Sequence, residues 1–186
     1  MSRTDALILM VIRHAEKPGE AWRGPGLTEQ GEENGKSLVI RGWERAGAWA
    51  ALFGSRLGGA DYPTPGALFA ARPEGSASQR AADTLRPLAE RLGLLLDLSF
   101  AQGEEDKLME RALALSGVAL VSWEHKKIAE AIVPRIPVQP GVALPAQWPS
   151  DRYDVVLRFD RAARAERFSF RQLRPRLLSG DSESCI

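Results

Sequence analysis

One cysteine, Cys185, occurs among 186 residues, so the chain has no partner for an intramolecular disulfide and no set of thiolates for a metal cluster. That usage fits a reducing compartment, and a cytoplasmic location is the expectation. Charge of either sign is not in excess either: 25 Lys and Arg against 24 Asp and Glu leave a net +1. Nothing therefore points to nucleic acid or an acidic membrane as the main partner, and any anion site must be local. Long apolar runs are missing. At 44% hydrophobic and 26% charged residues, the composition is that of a globular domain without a membrane span. Only two histidines occur, His14 and His125.

What is present is a strand-and-helix alternation. Residues 6–12 form a continuous apolar run that suits a strand covered on both faces of a parallel sheet. The preceding segment Ser2-Arg3-Thr4-Asp5 is not net basic and no small-residue cleavage site follows, so the run reads as a buried strand and not as a signal peptide's hydrophobic region. After a Gly- and Pro-containing loop at 18–25, Thr28 is placed to cap a helix ahead of Glu29 and Gln30, and a clearer helical pattern runs from Leu38 to Phe53. Ala67 to Ala70 reads as a second strand, with a polar connection at 71–78. A helix follows over 79–92, ending at Gly93, with a kink or break expected at Pro87. Strands at 94–98 and 118–123 flank a helix at 104–115, and another helix covers 125–132. Segments 153–160 and 167–173 read as an edge hairpin. The order predicts an α/β fold, a three-layer α/β/α sandwich on a mainly parallel sheet. Residues 1–178 are expected to form one domain, and 179–186 a fraying tail.

Both histidines fall at the carboxyl ends of predicted core strands, where open α/β sheets bind ligands. The segment Arg13-His14-Ala15-Glu16-Lys17 closes the first strand, and Trp123-Glu124-His125 closes the fourth.

Four segments in order resemble the histidine phosphatase superfamily, specifically its smaller, phosphoglycerate mutase-like branch. Arg13-His14-Ala15 is similar to the family's Arg-His-Gly, and Leu27-Thr28-Glu29-Gln30-Gly31 to its Leu-Thr-x-x-Gly. Ser78-Gln79-Arg80-Ala81-Ala82-Asp83-Thr84 resembles its arginine-bearing helix start, and His125 stands where the family has its second histidine. The resemblance covers about two thirds of the chain. It implies a phosphatase acting on a phosphomonoester through a phosphohistidine on His14. Arg13 and Arg80 would clamp the phosphoryl oxygens, His125 would complete the pocket, and no metal or cofactor would be needed. The chemistry is coherent: phosphoryl transfer through a protein nucleophile needs a neutral imidazole, and cations to hold the oxygens as charge redistributes. Forked guanidinium donors suit that second task.

A carboxylate must then protonate the leaving oxygen. Glu104, between the third strand and its helix, is the first candidate, with Glu105 and Glu16 as rivals. Lys17, Glu16 and Thr28 are candidate substrate contacts. The family's glycine after the histidine is Ala15 here, and little sequence separates Arg80 from His125 for a capping insertion, which favours a phosphatase over a phosphoglycerate mutase. A catalytically weak module binding phosphorylated ligands or phosphohistidine proteins is the other alternative. The expected partner is a small phosphorylated substrate or a phosphoprotein, and the oligomeric state is left open. Gly31 to Ser37 misses the nucleotide-binding loop spacing by one residue, and no Gly-x-Ser-x-Gly elbow follows a strand.

Overall fold

The computed structural model describes residues 5–19, 21–56, 58–75 and 78–186. Residues 1–4, residue 20 of the loop at 18–25, and residues 76 and 77 of the connection at 71–78 lie outside the description.

Strands β1 (Leu7–Arg13), β2 (Ala67–Ala70), β3 (Leu96–Asp97), β4 (Gly117–Trp123), β5 (Val156–Arg161) and β6 (Ser169–Leu173) form one six-stranded sheet in the order β3-β2-β4-β1-β5-β6. The first four run parallel; β5 joins β1 antiparallel, and β6 closes the edge as a hairpin. Alternation along β1 shows why it must be central. Leu7, Leu9 and Val11 enter one apolar cluster and Met10 and Ile12 the other, as a strand buried on both faces requires.

Helices α1 (Ile40–Gly54) and α2 (Arg80–Leu92) cover the face of Met10 and Ile12. Trp49, Ala50 and Phe53 of α1 and Leu85, Leu88 and Ala89 of α2 lie in its core, with Trp49 and Phe53 stacked at 5.6 Å between ring centroids. On the other face, α3 (Glu105–Leu113) contributes Leu108, Met109 and Ala112. So does the composite segment α4, in which His125–Lys127 is α-helical, Ile128–Ile132 a π turn and Val133–Arg135 a 3-10 turn. The architecture is thus the expected three-layer α/β sandwich. Among the described residues, no helix is long and apolar enough to cross a membrane.

Two local expectations change. Thr28 does not start a helix: its Oγ1 accepts from the Glu32 amide at 3.1 Å, Gly31 takes a positive φ of 84°, and Leu27 bridges to Glu33 and Leu38. A hydroxyl that satisfies an amide four residues on builds a closed turn in place of a cap. Helix α2 runs through Pro87 without a break, pinned by buried Leu85, Leu88 and Ala89 on either side. It ends at Gly93 with φ 65°, the left-handed cap that its sequence predicts. Residues 179–186 make specific contacts. Asp181 binds Arg45, the Ser182 amide donates to Asp154 at 2.6 Å, and Ile186 exchanges hydrogen bonds with Gln172.

Candidate functional site

The parallel pairing of β1 and β4 ends with Arg13 opposite Trp123, and the His14 amide donates to the Trp123 carbonyl at 3.0 Å. The register therefore brings the two histidine-bearing turns together at one end of the sheet. His14 is 5% exposed. Its Nδ1 lies 2.7 Å from the Ala15 carbonyl, which accepts only from a protonated nitrogen. That contact selects the Nδ1–H tautomer and leaves the Nε2 lone pair free. Burial, and then the positive charges of Arg13, Arg80 and Lys17, push the His14 pKa down to about 3. The ring is held neutral.

The peptide after His14 is gripped closely. The Ala15 amide donates to Thr84 Oγ1 at 2.8 Å, and Thr84 in turn donates to the Arg80 carbonyl. The Val39 amide donates to the Glu16 carbonyl, and α1 approaches so closely at Gly42 that a Cβ there would stand 2.5 Å from that oxygen. Glycine is required at 42 by space.

Arg13 is fully buried, and its Nη1 donates to the carbonyls of Ser150 at 2.7 Å and Arg152 at 3.1 Å. Its Nη2 donates to the Tyr153 hydroxyl at 3.1 Å, and the guanidinium lies 3.8 Å over the Tyr153 ring. The expected phosphoryl clamp is thus largely engaged in fastening the segment 149–153 over the sheet end. Arg80 is half-buried and donates from Nε to the Ser37 carbonyl and from Nη2 to that of Gly35. Among the described residues its Nη1 has no such engagement, and the charge of Arg80 acts on His14. Lys17 is exposed, and its pKa is lowered by partial burial and by the charges of Arg80 and Arg13.

His125 is 7% exposed, with its pKa lowered by burial and by Arg13 and raised by Glu124. Glu124 caps α4 by accepting from the Lys127 amide, and its Oε1 lies 2.6 Å from His125 Nδ1, an approach too bent for a hydrogen bond. The same carboxylate acts on Arg13 and Lys17.

The three carboxylates singled out in the sequence have other partners. Glu104 sits at the start of α3, where its oxygens take Lys107 at 2.7 Å, the Ala101 amide at 3.0 Å and Arg72 at 3.5 Å. Buried Glu105 accepts from Trp123 Nε1 and the Gly103 amide. Glu16, fully buried, is held by Arg45. Thr28 serves its own turn. Sequence reasoning missed Tyr153, which lies between Arg152 and Asp154 at the start of an expected strand and carries no local signal of its own, and Glu124, which the adjacent histidine overshadowed.

Two cavities flank the segment 149–153. One of about 430 Å³ is walled by Glu16, Trp22, Arg41, Asp151 and Tyr153 among others; the second, of about 400 Å³, is walled by His125, Glu130, Trp148 and Ser150 among others. Among the described residues no three His, Cys, Asp or Glu side chains stand together as metal ligands.

No model of a known protein family matches the chain. No curated protein sequence matches it either. Among solved structures, a mycobacterial glucosyl-3-phosphoglycerate phosphatase superposes with a TM-score of 0.48 at 16% identity, over 89% of this chain and 97% of that one. Mycobacterial hydrolase 2 gives a TM-score of 0.48 at 15% identity, over 92% of this chain and 90% of that one.

Proposed function

We propose that the protein is a phosphatase that hydrolyses a phosphomonoester, with His14 Nε2 as the nucleophile. The observation that carries this reading is the state of His14. It is a neutral imidazole whose Nδ1–H is fixed on the Ala15 carbonyl, with Arg13, Arg80 and Lys17 as the cations acting on it. Nε2 attacks phosphorus, the P–O bond to the alcohol breaks, and the transferred group rests on His14 as phosphohistidine. Water then attacks the same phosphorus, and the imidazole leaves as the neutral base. Arg80 Nη1, Lys17 and the two uncommitted donors of Arg13, its Nε, unpartnered among the described residues, and the second Nη2 proton, bind the phosphoryl oxygens, a division that follows from the donors already committed to carbonyls and to Tyr153.

The proton for the leaving oxygen is assigned to His125, with Glu124 beside its Nδ1 stabilising the imidazolium. A carboxylate next to an imidazole performs that service in acid–base pairs generally. Glu104 is set aside for this step because Lys107 and Arg72 occupy its oxygens.

A second reading, a module that binds phosphorylated ligands with little turnover, is favoured by one observation. Arg13 spends three of its five donors on the segment 149–153, two on backbone carbonyls and one on the Tyr153 hydroxyl. Quenched reaction with p-nitrophenyl phosphate separates the two. The phosphatase reading expects an alkali-stable, acid-labile phosphoenzyme that is absent in His14→Ala. Phosphate binding without release of nitrophenol would support the module, and turnover that survives His14→Ala would overturn the nucleophile.

A further inference from the structure

Outside the phosphoryl pocket, the most completely engaged group of charges is the triad Glu16, Arg45 and Asp181. All three are buried: Glu16 is 0% and Arg45 2% exposed, and the Asp181 side chain is 3% exposed. Arg45 grips both neighbours at once. Its Nε lies 2.9 and 3.0 Å from the two Glu16 oxygens and its Nη2 2.8 Å from Oε1. On the other side Nη1 lies 3.1 Å from Asp181 Oδ2 and Nη2 2.7 Å from Oδ1. Arg41 adds a second cation at 3.5 Å from Glu16 and binds the Ser179 carbonyl. Although burial alone would lower the Arg45 pKa, the bonds to Asp181 and Glu16 raise it above the ordinary arginine range.

Such a group costs desolvation energy, and apolar packing would fill the same space at least as stably. Its geometry explains what it gives in return. Glu16 is the residue after Ala15, whose carbonyl fixes the His14 tautomer. The Ala15–Glu16 peptide is held through its two neighbours: the preceding peptide's Ala15 amide is gripped by Thr84, the following peptide's Glu16 carbonyl by the Val39 amide, and the Glu16 side chain by Arg45. Arg45 is itself held in place from the far side by Asp181, 136 residues away along the chain. Asp181 is anchored by the Leu178 amide at 3.0 Å.

We propose that Asp181, acting through Arg45 and Glu16, is a positioning residue that sets the orientation of the Ala15 carbonyl and so keeps His14 in its Nδ1–H form. The C-terminal segment is thereby part of the machinery of the sheet end. The consequence for catalysis rests on the phosphatase reading above; the consequence for the imidazole does not.

The test uses the full chain with ¹⁵N-labelled histidine, whose two rings are told apart by His125→Gln. In Asp181→Asn the His14 ring nitrogens should leave the pattern of a fixed Nδ1–H and move toward averaged tautomers. For p-nitrophenyl phosphate kcat should fall about tenfold or more with KM within about twofold, since small misplacements near the reacting atom act on kcat. Asp181→Glu should recover part of both. Unchanged ring shifts in a folded Asp181→Asn protein would overturn the proposal. If that variant does not fold, Arg45→Lys, which keeps the charge but lacks the fork, is read in the same way. Altered ring shifts with turnover intact would uphold the positioning and overturn His14 as the nucleophile.

Discussion

His14 should make the protein acid-sensitive in a way that one substitution removes. In the unfolded chain its imidazole titrates near 6.5; in the fold the pKa is pushed down to about 3 by burial and by Arg13, Arg80 and Lys17. Because the folded value lies below the unfolded one, the unfolded state binds the extra proton first as pH falls. The stability linked to His14 is therefore complete above about pH 6.5 and is lost progressively toward pH 3. The gap of about 3.5 units corresponds to about 5 kcal/mol at its limit, and about 3 kcal/mol of it would be gone by pH 4.5. That is a large share of the 5–15 kcal/mol typical of a domain. The variant His14→Asn keeps a donor for the Ala15 carbonyl and deletes the titration. Urea unfolding of both proteins between pH 8 and 4.5 should show the wild-type advantage shrinking by about 3 kcal/mol. Comparison with the variant cancels the other titrating groups, His125 included. A difference that stays constant across that range would refute the reasoning that cations and burial surround His14.

Gly42→Ala should destabilise by about 1–3 kcal/mol, since the added methyl meets the Glu16 carbonyl at 2.5 Å, and thermal melts will show it. Replacing Arg13 by Met strands the carbonyl of Ser150, while that of Arg152 keeps its bond from Trp148 Nε1. A loss of about 1–3 kcal/mol with faster proteolytic cleavage near 149–153 is expected, and unchanged cleavage would contradict the fastening role. The pH dependence of kcat/KM should rise as pH falls through the depressed His125 pKa, because the proton donor is the imidazolium. Glu124→Gln removes a charge that raises that pKa and should displace the limb to lower pH, whereas superimposable profiles would remove His125 from the proton step.

Much of the framework was legible because it depends on period and punctuation. The unbroken run ending at Ile12, the spacing of Trp49, Ala50 and Phe53, and Gly93 after α2 each specify an element through local chemistry. That the turns bearing His14 and His125 leave the same end of the sheet followed from both closing parallel strands. The roles of individual charges were not legible. An arginine next to a histidine looks the same in sequence whether its donors meet a phosphate or the carbonyls of Ser150 and Arg152. Glu104, Glu105 and Glu16 could not be ranked by spacing, since each is decided by a partner elsewhere: Lys107, Trp123 and Arg45. Thr28 failed for a local reason, because cap and closed turn use the same hydroxyl.

The antiparallel return of β5 beside β1 also governs when the site comes into being. Arg13 meets Ser150, Arg152 and Tyr153 across 137 to 140 residues, and Arg45 meets Asp181 across 136. Contacts of such separation carry a large loop-closure entropy and slow the folding reactions that depend on them. The parallel half of the sheet and its helices can assemble with His14 still exposed, and the clamps around it close afterwards. Interactions that form late chiefly restrain unfolding. Substitutions at Arg13, Arg45 or Asp181 would then quicken the loss of the native state while leaving its rate of formation almost untouched.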